Sequence, residues 1–189
     1  MAEDALSQLI AAAHVDGASA GDTGPRALPP VHLWNPPNCG EIDIRIRADG
    51  LWFHEGSPIG RPQLVRLFAS VLRRDPDGFY LVTPVEKLEI TVEDAPFTAV
   101  RVDREGGDLR FTTNVGDTVV AGPDHAIRVE MDAATGEPRP YLHVRAGLEA
   151  LIVRAVFYDL IEMGDAQDGR LIVESGGTRF DLGPLEGGR

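Results

Sequence analysis

Two stretches of this chain repeat one order of periodicities, and that order limits the fold more than any other feature. In the first, EIDIRIRADG alternates Ile42, Ile44 and Ile46 against Asp43, Arg45 and Arg47, the period of a half-buried strand, and LWFHEG returns after the ADG turn. RPQLVRLFASVLRR then places Leu64, Leu67, Phe68, Val71 and Leu72 on one helical face, with Pro62 suited to the first helical position and DPDG as the stop. FYLVTP and EKLEITVED follow as two more strands. In the second stretch HAIRVEMD and RPYLHVRAG read as strands, LEALIVRAVFYDLIEMG as a helix, and RLIVESGG and TRFDLG as strands. The order is ββαββ both times, an internal repeat of pattern without evident identity. FTAVRVDREGGDLRFTTNVGDTVVAG, between the copies, adds about three short strands with GG and NVGD turns. The expectation is an α+β protein of two β-rich halves built on a duplicated ββαββ motif, each half with one helix covering a sheet face. Residues 31–96 form the first α+β repeat domain and 97–189 the second. Residues 1–30 are an N-terminal tail, with a short helix predicted over 4–13 and a Gly/Ala/Pro-rich tether behind it.

Charge and cysteine content narrow the partners. A formal net charge of −12 opposes binding to nucleic acid or to an anionic membrane surface. Leu148 to Met163 is apolar but too short for a membrane span. One cysteine, Cys39, rules out an intramolecular disulfide, and the acidic start MAEDALSQL does not read as a secretory leader, so a cytoplasmic protein is expected.

No established catalytic or metal motif stands in the sequence. The five histidines, His14, His32, His54, His125 and His143, are scattered without ligand spacing, and neither Ser57 nor Cys39 has the neighbours that would activate it. An enzyme is therefore the least favoured class, and no metal and no definite cofactor are expected. Anion binding has more support. GSPIGR and HVRAG each deliver glycine and arginine to an expected helix start, where unpaired N–H groups attract anions and Arg61 and Arg145 supply guanidinium forks. Arg154 interrupts an apolar helix and, if buried there, needs an acid or an anion as partner. Lys87 is the only lysine in the chain, at a strand corner after Pro84. The plain reading pairs it with Glu86 or Glu89; the sharper one turns it to a ligand. Trp52 and Tyr141 lie on strands expected to precede the helices, where they would stack a base or fill the core. Arg66, Arg73 and Arg74 read as a basic face of the first helix, a surface for an acidic partner.

Together GEIDIRIRADGLWFHEGSPIGR, LVTPVEKLEITVEDAPF, TNVGD and PYLHVRAGLEALIVRAVFYDL resemble the bacterial domain-of-unknown-function 1285 family, over nearly everything from Leu33 to Leu182. The resemblance implies a two-domain α+β fold with a duplicated motif, a C-terminal half superficially like a pleckstrin-homology domain, and a role in signalling with a nucleotide-like ligand between the domains. It brings no catalytic residues. Two functions follow: a regulatory module binding a small anionic or nucleotide-like ligand through Trp52, Arg61, Lys87, Tyr141, Arg145 and Arg154, or a protein-interaction adaptor without such a ligand.

Overall fold

The structure, a computed structural model, describes Ala11 and residues 28–185. The expected helix over 4–13 lies, Ala11 apart, outside them. The chain forms two compact units, residues 1–93 and 94–189.

The N-terminal unit is a six-stranded sheet. Its strands are β1 (Asn38–Ile46), β2 (Trp52–His54), β3 (Ser57–Pro58), β4 (Leu72–Asp75), β5 (Gly78–Val82) and β6 (Lys87–Val92), in the order β3-β2-β1-β6-β5-β4. All neighbours are antiparallel except β1 and β6, which run parallel at the centre. Helix α1 (Pro62–Ser70) connects β3 to β4, and its buried Phe68 stacks on Trp52 with ring centroids 6.2 Å apart. The alternation in β1 puts Ile42, Ile44 and Ile46 into the core, where Leu81, Leu88 and Ile90 are also buried.

The C-terminal unit repeats that sheet. Its strands β7 (Phe97–Glu105), β8 (Asp108–Thr113), β9 (Thr118–Val120), β10 (Ile127–Met131), β11 (Pro138–Arg145) and β12 (Leu148–Ile152) stand in the order β9-β8-β7-β12-β11-β10. Again three strands lead outward from a central first strand, three return, and the last pairs parallel with the first. Helix α2 (Arg154–Met163) follows, then a three-stranded antiparallel sheet of β13 (Asp165–Gln167), β14 (Arg170–Ser175) and β15 (Thr178–Pro184). The protein is thus α+β with two similar β-rich halves, and the recurring unit is six strands; the helix stands inside the first copy and after the second.

Two segments differ from the periodicity. Leu148–Ile152, expected as the start of a helix, is strand β12, and α2 begins only at Arg154. β12 lies between β11 and β7, and a central strand reads as a continuous apolar run that periodicity does not separate from a buried helix. Likewise α1 ends at Ser70, and Leu72 belongs to β4 although it falls on the helical spacing. Arg73 and Arg74 are therefore strand residues, and the basic helix face reduces to Arg66.

Candidate functional site

The shared sheet order aligns the two units residue by residue. On the fourth and fifth strands Leu72 opposes Leu81 and Arg73 opposes Tyr80; in the second unit Ile127 opposes Leu142 and Arg128 opposes Tyr141. The fifth and sixth strands pair Val82 with Lys87 and His143 with Glu149. Each unit thus surrounds a buried tyrosine with an arginine on one neighbouring strand and a charge on the other. The last charge has opposite sign: Lys87 occupies the place of Glu149.

Around Tyr80 the ions close on themselves. Lys87 Nζ lies 2.5 Å from Asp75 Oδ2 and 3.8 Å from the centroid of the Tyr80 ring. Arg73 donates to both Asp75 oxygens, at 2.8 and 2.9 Å, and to the carbonyls of Val31 (3.1 Å) and Trp34 (2.7 Å). It therefore pins the 3-10 turn at Val31–Leu33. The Arg73 hydrogen bonds hold the Asp75 carboxyl below the usual carboxylate range despite its burial, with Lys87 adding to the effect. Burial, and the neighbouring Asp77 next, push the Tyr80 hydroxyl up to about 12. The expected partners of Lys87, Glu86 or Glu89, give way to Asp75, because Lys87 and Asp75 flank Tyr80 on strands β6 and β4.

Around Tyr141 the cation comes from the opposite side. Arg128 binds both oxygens of Glu149 at 2.7 Å, with its Cζ 4.2 Å from the Tyr141 ring centroid. The Tyr141 hydroxyl donates to Asp94 (2.8 Å) and accepts from Arg139 (3.0 Å), which also reaches Asp94 at 2.5 Å. Burial raises the Tyr141 hydroxyl above its ordinary value, Arg139 acting in the opposite sense and Asp94 in the same one.

The remaining predicted residues are dispersed. Arg145 pairs with Asp117 and lies over Phe97, 4.9 Å from its centroid. HVRAG leads into the turn before β12, not into a helix: Ala146 and Gly147 both have positive φ, and the Gly147 N–H donates to His143 Nε2 at 3.1 Å. The second anion-ready helix start is therefore absent from that position. His143 Nδ1 donates to the Asp124 carbonyl at 2.7 Å, and its ring stacks on that of His125. His143 occupies the place of Val82 in the first unit. Arg154, expected inside an apolar helix, opens α2 with its side chain 72% exposed. It donates to the Tyr158 hydroxyl at 2.8 Å and stands 3.8 Å from Glu137. Exposure removes the need for a buried partner that the helical reading of 148–153 had implied.

Arg61 is the exposed N-cap of α1 and makes no capping bond with its side chain. Pro62 has no N–H, and those of Leu64 and Val65 donate to the Arg61 carbonyl, so the first turn offers little beyond the Gln63 N–H. Trp52 is 2% exposed, and its Nε1 has no hydrogen-bond partner. Two further buried polar atoms share that condition: His54 Nε2 and Glu86 Oε1. Pairing with Ile46 and Ile44 sets Trp52 and His54 on the core face of β2. Glu86, 8% exposed, sits in the turn joining β5 to β6, where burial raises its carboxyl above 4.5. No local pattern in the sequence marks His54 or Glu86 as unmatched. Among the described residues no group of three or more His, Cys, Asp or Glu side chains is placed to hold a metal ion, and no helix is long and apolar enough to cross a membrane.

Comparison with known proteins bears on both units. The model of the domain of unknown function DUF1285, N-terminal domain, matches residues 29–95, and that of its C-terminal domain matches residues 96–182. The crystal structure of a DUF1285 family protein from Silicibacter pomeroyi is similar with a TM-score of 0.81 and 53% identity, covering 94% of this chain and 96% of that one. A DUF1285 family protein from Shewanella baltica matches with a TM-score of 0.51 and 28% identity, over 63% of this chain and 90% of that one. No curated protein matches the chain. The family match begins beside the turn that Arg73 holds and runs into β15, so it takes in both tyrosine-centred sheets, and the chain belongs to the DUF1285 family.

Proposed function

We propose that the protein is a cytoplasmic regulatory module that binds a small nucleotide-like ligand, and that its N-terminal unit receives it. The observation that carries this reading is where the unmatched buried polar atoms fall. Trp52 Nε1, His54 Nε2 and Glu86 Oε1 all belong to that unit, and none is found among the described residues of the other. Buried polar atoms are rarely left unpaired, and each one costs about 1–3 kcal/mol. A heterocycle carrying both donors and acceptors supplies what an indole N–H, an imidazole nitrogen and a carboxyl lack. Arg61 adds an exposed cation for a phosphate. Lys87, Tyr141 and Arg145 are committed to partners within the chain, so their part in this reading is to hold the sheets.

A thermal-shift screen of the full chain against nucleotides and nucleosides tests it. A ligand at one hundred times its dissociation constant stabilises by about 2.7 kcal/mol, a rise of about 5 °C or more for a chain of this size. Trp52→Phe keeps a ring against Phe68 and removes the N–H. The expected outcome is a shift in the wild type that Trp52→Phe reduces or abolishes. If no member of the panel moves the wild type, the reading fails in favour of an adaptor without a small-molecule ligand.

A further inference from the structure

The outer face of α2 carries a pattern that matches its own reverse. Tyr158, 51% exposed, stands at its centre. Four residues before it is Arg154 and four after it Glu162; three before it is Ala155 and three after it Ile161, and all four are exposed. Val156, Phe157 and Leu160 occupy the opposite, buried face. Positions three and four apart share a helix face, so these five residues form one patch.

We propose that this face is where a second copy of the chain docks, with the two α2 helices antiparallel about a two-fold axis at Tyr158. A two-fold contact requires that whatever residue i meets on the partner, the partner's copy of i meets on the first subunit. With the axis at Tyr158, each Arg154 meets the other copy's Glu162, and each Ile161 meets the other copy's Ala155. Charge and size are thus both complementary: cation against carboxylate, large side chain against small. The tyrosines meet at the centre, and tyrosine is among the residue types enriched at the energetic centres of interfaces. A row of residues four apart is also the ridge that packs in the commonest helix–helix crossing.

The contacts Arg154 makes within its own subunit leave it available. Its separation from Glu137 is 3.8 Å with both side chains mostly exposed, a weak and screened pair. Its hydrogen bond to Tyr158 holds the guanidinium along the patch and is compatible with a second carboxylate. Among the described residues the Glu162 carboxylate makes no hydrogen bond or ion pair in its own subunit. One ten-residue helix per subunit makes a small interface, so the dimer belongs to the weak, reversible class.

Sedimentation equilibrium of the full chain, from about 1 to 500 µM to span weak association, tests the proposal by charge exchange. The wild type is expected to dimerise reversibly. Arg154→Glu and Glu162→Arg should each weaken the dimer by about tenfold or more, because a two-fold contact counts every reversed charge twice. The double variant restores both contacts with their signs exchanged, and its association should return to within about threefold of the wild type. Both positions are exposed, so unchanged melting temperatures are expected for all three variants and verify that folding is intact. A wild type that stays monomeric throughout, single reversals without effect, or a double variant no better than the singles overturns the proposal.

Discussion

The two sheets follow one plan with the charge at one position reversed. In the N-terminal unit the tyrosine is capped by Lys87 from the sixth strand, and the acid, Asp75, sits on the fourth. In the C-terminal unit the cap is Arg128 on the fourth strand, and the acid, Glu149, is on the sixth. What both copies keep is the combination of a buried ring, a cation over it and a carboxylate on the cation, while the strands that supply the ions exchange roles. A cation–π contact next to an ion pair is a local energetic solution that either arrangement satisfies. The two units differ in what they leave unpaired: among the described residues the first holds three unmatched buried polar atoms and the second none.

The largest effect expected from breaking the charge cluster lies in the N-terminal unit. Lys87 and Asp75 are both less than one-fifth exposed, whereas Arg128 is 41% exposed. Lys87→Met should cost about 1–3 kcal/mol in chemical denaturation, the value of a half-buried charge-assisted hydrogen bond and its ring contact. Arg128→Met, at a more solvated pair, should cost less than about 1 kcal/mol. Equal losses would mean that the two clusters are energetically interchangeable.

A smaller effect, of opposite sign, is expected at Glu86. Because burial raises its carboxyl above 4.5, the folded state binds the proton more tightly than the unfolded state does. Stability is therefore lost as pH rises from that ordinary value through the raised folded value, and the loss is complete above it. Glu86→Gln should stabilise the protein at neutral pH, with the gain vanishing below 4.5. Asp75 behaves conversely: its carboxyl is held below 3.8, so its contribution is present above that value and disappears as pH falls through the lowered one. A Glu86→Gln variant that gains stability but loses a nucleotide-induced shift would place Glu86 among groups kept for function at a cost in stability.

Much of the fold was legible because alternation and turn chemistry act locally. The isoleucines of β1 and the GG and NVGD turns stand where their residues demand, whereas DPDG, expected to stop the first helix, turns β4 into β5. The misreadings share one cause. Leu148–Ile152 and Leu72 are packed by strands distant in sequence, and an apolar run gives no local sign of whether a sheet or a helix surrounds it. That single ambiguity displaced the second repeat from its start at β7, set HVRAG at a helix start and made Arg154 look buried. Dispersal of the candidate site has another origin. The acids that engage Lys87, Tyr141 and Arg145, namely Asp75, Asp94 and Asp117, lie 12, 47 and 28 residues away in the chain. The unmatched atoms of Trp52, His54 and Glu86 are a property of packing and leave no trace in residue order.

The claim that the N-terminal unit is the receptive copy is tested most directly by hydrogen exchange of the full chain with and without the nucleotide that gives the largest thermal shift. Slowed exchange is expected at residues 52–54 and 83–87, with the equivalent strands of the C-terminal unit, 108–113 and 138–149, unchanged. Protection centred on 138–149, or spread equally over both sheets, would contradict it.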